Sequence, residues 1–215
     1  MPRRALRKLD PGLDLSRHYK EFEDLPRPWD AGALFRRQAP LEVEVGSGKG
    51  LFLASAAARS PEHDFLGIEL SLRYAKFTAG KLAQRNLSNS LIVHGNALQV
   101  FREILPDRSL AAVHVYFPDP WWKKRHKKRR VLNEAFLRDI ERTLAPGGSL
   151  HFWTDVEEYF RSTLALVPAA TNLAGPFDVP EPRAEHDLDY RTHFERRTRK
   201  NQEPVYRTEF RKKDD

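Results

Sequence analysis

Leu41 to Arg59 reads LEVEVGSGKGLFLASAAAR. The run 41–46 is short, β-rich and ends in glycine; the run 50–59 has helix-forming composition with apolar residues at helical spacing. The same alternation continues downstream. FLGIEL (65–70) predicts a strand, SLRYAKFTAGKLAQRN (71–86) a helix opened by a Ser71 N-cap, and SLIVHGNA (90–97) a third strand before a short helix at 98–104. SLAAVHVYF (109–117) predicts a fourth strand halted by Pro118, and NEAFLRDIERTLAP (133–146) an amphipathic helix followed by a Gly147–Gly148 turn. SLHFWTD (149–155) predicts the fifth strand and VEEYFRSTLALV (156–167) a helix. The Pro-rich stretch 168–182 reads as loop with a strand at Phe177 to Val179, and VYRTEFRK (205–212) alternates like a strand.

Five strand–helix units joined by short connections imply a doubly wound α/β domain, a mainly parallel sheet covered on both faces. Ligands of such sheets bind beyond the carboxyl ends of the strands. Here those ends carry Glu44 to Gly50, Glu69, Asn96 with Ala97, Asp119, and Thr154 with Asp155. No internal repeat is present. Residues 1–40, broken by Pro11, Pro26, Pro28 and Pro40, show no sustained periodicity and read as a basic N-terminal arm before a domain spanning 41–215.

The chain of 215 residues carries 37 Lys plus Arg against 30 Asp plus Glu, a formal charge of +7. That excess is not a smear. Residues 1–20 hold +4, the run KKRHKKRR (123–130) +7 and residues 191–213 +6, which leaves −10 on the rest. Three basic segments, one beside Trp121 and Trp122, favour a phosphate-rich partner, because cations grip backbone phosphates and aromatic rings stack on bases. A hydrophobic content of 40% excludes a disordered polyelectrolyte. The absence of cysteine excludes disulfides, thiolate metal sites and cysteine nucleophiles, and fits a cytoplasmic protein. No apolar run reaches the roughly 18 residues of a membrane span, Met1 to Lys20 lacks the core of a signal peptide, and no histidine spacing suggests a metal site.

The turn EVGSGKG (44–50) does not fit two common phosphate loops. A Walker loop requires Gly where Val43 stands and Ser or Thr where Gly50 stands; a dinucleotide loop requires Gly at Leu51. The spacing G-x-G-x-G, with Glu44 two residues before its first glycine, resembles the first motif of class I S-adenosylmethionine-dependent methyltransferases. That resemblance implies a Rossmann-like, seven-stranded fold with S-adenosylmethionine as cofactor. Gly46 and Gly48 would then admit the cofactor, Glu44 would face its cationic groups, Glu69 its ribose hydroxyls, and Asn96 with Ala97 its adenine edge.

The string YFPDPWWKKRHKKRR (116–130) is more specific, and closely resembles the bacterial tRNA (guanine-N7) methyltransferase family. The resemblance runs from about Leu41 to Lys212 and takes in Thr154–Asp155 and a T-x-F-E element at 192–195. It implies cofactor contacts at Glu44, Glu69, Asn96 and Asp119, with Asp119 also the catalytic residue. It implies substrate contacts at Lys123, Asp155, Thr192, His193, Phe194 and Glu195. Lys124, Arg125, Lys127, Lys128, Arg129 and Arg130 are expected to hold tRNA phosphates. The chain departs from the family pattern at His193, where Lys or Arg is usual, and Trp122 fills a variable site. The family's target is the guanine at position 46 of the tRNA variable loop. The short chain reads as the self-sufficient bacterial form, a monomer or homodimer with no obligate protein partner.

Three rivals remain at this stage: a dinucleotide-dependent oxidoreductase, a methyltransferase with another target atom, and a non-catalytic RNA-binding module on the same fold. The structural alternative for Asp155 is capping of the helix at 156–167; for the histidines it is ordinary surface polarity.

Overall fold

The computed structural model describes residues 6, 10, 12–181, 183, 186 and 190–214; Arg3, Arg4, Arg7 and Lys8 of the basic arm lie outside them. The elements in chain order are β1 (Tyr19–Glu21), α1 (Ala31–Phe35), β2 (Leu41–Val45), α2 (Leu51–Arg59), β3 (Asp64–Glu69), α3 (Leu72–Gln84), β4 (Ser90–His94), α4 (Ala97–Glu103) and β5 (Leu110–Tyr116). There follow α5 (Glu134–Thr143), β6 (Leu144–Thr154), α6 (Glu157–Ala170), β7 (Ala174–Asp178), α7 (His193–Lys200) and β8 (Tyr206–Arg211), with 3-10 turns at Phe22–Asp24 and Lys124–Arg129.

The strands form one sheet in the order β1-β4-β3-β2-β5-β6-β8-β7. Pairing is parallel from β1 across to β6, while β8 runs antiparallel to both β6 and β7. The doubly wound reading therefore holds. The count of seven strands does not: the eighth is β1, which pairs with Ile92 to His94 at the edge of β4. From residue 19 onward the arm is folded onto the domain, and Phe22, Leu25 and Phe35 are buried in its core. A three-residue strand and a five-residue helix are too short to print a period, which is why the sequence pattern there looks formless.

In β2 the alternation is literal: Leu41, Val43 and Val45 enter one core, against α4, α5 and α6, while Glu42 and Glu44 point to the α2 face. On that face α2 buries every residue from Leu51 to Ala57, and its alanines let it lie close to the sheet. The α5 helix is capped by Asn133, whose side chain accepts from Phe136 N at 3.1 Å, and buries Phe136, Leu137 and Ile140.

Other differences are local. Ser71 holds the N-cap position of α3 without a capping bond from its hydroxyl. Gly147 and Gly148 lie in an irregularity within β6 rather than a separate turn, because the pairing with β5 jumps from Leu144 to Ser149. The α6 helix passes Pro168 and ends at Ala170, and β7 begins earlier than Phe177. His114 is not a surface residue: it is 2% exposed, with Nε2 2.6 Å from Glu42 Oε2, and Glu42 Oε1 is 2.6 Å from His63 Nδ1. His18, at 7% exposure, sets Nδ1 3.0 Å from the Ser90 carbonyl.

Candidate functional site

From β2 the chain winds to β3 and β4 on one side, then crosses to β5 and β6 on the other, so the topological switch lies between β2 and β5. In doubly wound sheets ligands bind beyond the strand ends at such a point. The glycine turn leaves β2 and the segment Phe117 to Pro120 leaves β5, so both sequence-predicted motifs flank it.

The turn is held by its own backbone. Gly46 N donates to Ile68 O at 2.8 Å and Gly50 N to Ser47 O at 2.8 Å. The Thr78 hydroxyl donates to Gly48 O at 3.0 Å, and Lys81 Nζ donates to Lys49 O. The three glycines do different jobs. All have positive φ (79°, 54° and 61°), but a Cβ on Gly46 would meet nothing within 4 Å and one on Gly48 only Gly46 O at 4.0 Å. A Cβ on Gly50 would lie 2.3 Å from Thr78 Cγ2. Gly46 and Gly48 border open space; Gly50 is there for packing against α3.

Glu69, at the end of β3, accepts from Gly48 N and Ser71 N at 2.8 Å each, one bond per carboxylate oxygen. Each oxygen keeps a lone pair for a further donor. Beside it Leu70 is 73% exposed, an apolar surface at a strand end that the sequence reading passed over. Glu44 is 4% exposed, and its Oε2 and the neighbouring Ser47 hydroxyl have no geometrically formed hydrogen bond among the described residues. Burial, reinforced by the charge of Glu69, pushes the Glu44 carboxyl up to about 7. Burial and the charge of Arg85 bring nearby Lys81 down to about 8, against the pull of Glu44. Asn96 caps α4, its side-chain oxygen accepting from Leu98 N at 3.0 Å, and Ala97 is buried.

Asp119 is exposed and makes no hydrogen bond or ion pair with the described residues. Phe117 before it and Trp121 after it both have φ of 49°, so the backbone turns sharply on either side of Pro118-Asp119-Pro120. Asp155, beyond β6, does not cap α6. Val156 takes the cap position, and its N–H donates to Thr154 Oγ1 at 3.2 Å.

The basic segment splits in two. Lys123, Lys124 and Lys128 are exposed and make no ion pair with the described residues. Lys127 Nζ bonds Glu158 Oε1 at 2.7 Å, and the guanidinium of Arg129 lies 5.2 Å from the Trp121 ring centre. Arg130 departs from its expected phosphate role. It is buried over the Tyr159 ring, donating to Glu158 Oε2 at 2.5 Å, to Ser162 Oγ at 3.1 Å and to Pro120 O at 2.9 Å. A guanidinium so engaged is not presented to a polyanion.

The T-x-F-E element opens α7, a helix the sequence reading missed. Thr192 caps it, accepting from Glu195 N at 3.0 Å. Glu195 is fully buried, not presented to solvent: it accepts from Arg191 N at 2.6 Å and meets Arg199 and Arg207 at 3.2 and 3.4 Å. His193 is half-buried at the start of the helix, and Phe194 stands 49% exposed with its ring 6.1 Å from that of Phe117. Phe117 itself was missed; its signal was position, the last residue before a strand-end motif.

A family model described as "Putative methyltransferase" matches residues 38–208. A tRNA (guanine-N(7)-)-methyltransferase of Rhodopirellula baltica is 48% identical over 99% of this chain and 81% of its own length. Another, of Alkalilimnicola ehrlichii, is 36% identical over 98% of this chain and 86% of its own. Among solved structures, the 16S rRNA methyltransferase KamB superposes with a TM-score of 0.61 at 16% identity, covering 85% of this chain and 94% of that one. The aminoglycoside resistance methyltransferase NpmB1 does so with 0.56 at 18%, covering 83% and 89%. Fold and site together define a class I methyltransferase, whose methyl donor is S-adenosylmethionine. Within that class, the chain belongs to the tRNA (guanine-N7-)-methyltransferase family. The donor fits the residues present: an orphaned buried carboxylate oxygen suits a cationic ligand, and the open faces of Gly46 and Gly48 leave space beside it.

Among the described residues there is no helix long and apolar enough to cross a membrane, and no group of residues able to hold a metal ion.

Proposed function

We propose that this chain methylates N7 of a guanine in tRNA, the guanine at position 46 of the variable loop. The observation that carries the reading is Asp119: a carboxylate fixed between two prolines at the switch-point end of β5, unpaired among the described residues, near Lys123, Lys124 and Lys128, which have no bonded partner among them either. S-adenosylmethionine, when bound, would supply an electrophilic methyl that the in-plane lone pair of N7 accepts by in-line displacement, the C–S bond breaking and S-adenosylhomocysteine leaving with its electron pair. No general base is needed at N7, because that atom carries no proton.

The protein's share is alignment and charge. Asp119 accepts from the Watson–Crick N–H groups of the guanine and opposes the positive charge the purine acquires. Asp155, free of helix capping, reads the base from the end of β6. Glu44 and Glu69 hold the cofactor, with Gly46 and Gly48 at its side and Asn96 with Ala97 at the adenine. Lys123, Lys124 and Lys128 take phosphates, with Arg125 at their side. Thr192, His193 and Phe194 face the substrate, while Glu195 serves by keeping α7 in place.

The test is incubation with unmodified tRNA and methyl-labelled S-adenosylmethionine, followed by chemical cleavage at 7-methylguanosine. Cleavage at guanine 46 is expected. Label in the RNA without that cleavage would overturn the target-atom assignment.

A further inference from the structure

Phe117 and Phe194 come from segments far apart in the sequence yet present nearly parallel rings, 18° apart in tilt and 6.1 Å between centres. Neither ring is fully buried: Phe117 packs against the edge of the α2-side core, and Phe194 lies at the surface. Phe194 is half exposed, and Phe117, at the rim of the core, holds a left-handed backbone with φ of 49°. That conformation is costly for a residue bearing a side chain, and it is kept in place by Phe117 N donating to Trp153 O at 2.8 Å. Two residues on from Phe117 stands Asp119. An aromatic plane is thus set beside the carboxylate assigned to the base.

We propose that Phe117 and Phe194 are the two walls of a stacking slot for the target purine. This rests on the guanine-N7 reading above. A flat base in contact with two rings requires roughly 3.5 Å on each face, hence about 7 Å between them. With ring centres 6.1 Å apart and an 18° tilt, the two rings already face one another and must part to admit a base between them. The exposed ring is the one that moves: Phe194 sits on the first turn of a short helix at the protein surface, whereas Phe117 is tied to the sheet. The slot also favours the reaction's charge. Alkylation at N7 leaves the purine cationic, and the faces of aromatic rings attract a cation more strongly than a neutral base. The stack therefore tightens from substrate to transition state, so its loss lowers kcat as well as raising KM.

The experiment compares the full-length wild type with Phe117→Leu, Phe194→Leu and Phe194→Trp, scoring 7-methylguanosine formed in tRNA. Each leucine variant is expected to lose roughly 5- to 150-fold in kcat/KM, the range that base–aromatic stacking supplies, and Phe194→Trp to retain most activity. S-adenosylmethionine affinity by calorimetry is expected to stay within about threefold of wild type. A purely structural role would not yield that rescue. As a second readout, 7-methylguanosine monophosphate is expected to inhibit the wild type at roughly 3- to 30-fold lower concentration than guanosine monophosphate, with the preference lost in both leucine variants. Leucine variants of undiminished kcat/KM, or a wild type that does not prefer the methylated nucleotide, would overturn the slot while leaving the guanine-N7 reading standing. A wild type that forms no 7-methylguanosine would overturn both.

Discussion

At the ends of β2 and β3, the proposed cofactor side, most polar groups are engaged within the chain. Glu69 has taken Gly48 N and Ser71 N, Thr78 has taken Gly48 O, and Glu44 Oε2 with the Ser47 hydroxyl is left over. At the substrate end the reverse holds. Asp119, Lys123, Lys124 and Lys128 stand in solvent without bonded partners among the described residues. The difference follows from what each end has to bind. A small zwitterionic cofactor gives few contacts, so its cradle gains by being rigid and dry, with one buried charge site held ready. A polyanion brings its own charges, and cations that wait for it in water pay no desolvation meanwhile.

The sharpest way to break this division is at Asp119. Asp119→Asn keeps the size and a hydrogen-bonding oxygen but removes the charge, and kcat for tRNA methylation is expected to fall by about 10²- to 10³-fold. Cofactor affinity is expected to change far less. Steady-state kinetics and calorimetry on one preparation check both; turnover near wild type would remove Asp119 from the mechanism.

The next effect belongs to the opposite end. Glu44→Gln is expected to weaken S-adenosylmethionine binding by roughly 10- to 100-fold, the worth of a charged hydrogen bond. It should also stabilise the unliganded fold. The Glu44 carboxyl is raised to about 7 when folded, so in the unfolded chain it ionises first. Between about pH 4.5 and 7 the unfolded state thus gains relative to the folded one, a loss of about 3 kcal/mol in stability that persists above pH 7. The melting advantage of Glu44→Gln over wild type should therefore grow across that window. In the same range wild-type cofactor affinity should rise with pH and that of the variant stay flat. Melting curves at pH 5 and pH 8 that differ equally in the two proteins would show that Glu44 is not the buried charge site.

The β2–turn–α2–β3 unit was legible because its signal is local: a strand pattern, glycines at fixed spacing, and an acid at the next strand end all lie within about thirty residues of chain. What spacing could not say was that Gly50, unlike Gly46, serves packing, since that depends on Thr78 across the fold. The proposed substrate side showed as strings around Asp119, at Thr154–Asp155 and at 192–195, but the helix α7 that the last of them opens left no mark. The buried face of α7 is made of Glu195 and Thr198, so no apolar period marks it. Its inward carboxylate is satisfied by Arg191 N, by Arg199 one turn on, and by Arg207, which β8 brings alongside. Arg130 hid in the same way, one cation among seven until Glu158 and Tyr159 single it out.

That last contrast yields the smallest effect and the finest cut. Removing Lys124 and Lys128 together, as alanine, should weaken tRNA binding and flatten its log–log salt dependence by about 2, one phosphate for each lysine. Arg130→Ala, in the same run of sequence, should leave the slope within about 0.3 of wild type. Its cost falls on the fold instead: Glu158, which Arg130 and then Lys127 hold down to about 2, loses its main partner. Glu158 is itself half exposed, so water makes good part of the loss and the destabilisation should stay near 1–2 kcal/mol. Salt titrations and melting curves on the two variants separate the roles. A flattened slope in Arg130→Ala would mean that the guanidinium swings out to the RNA, and that the two sides differ less than their resting contacts suggest.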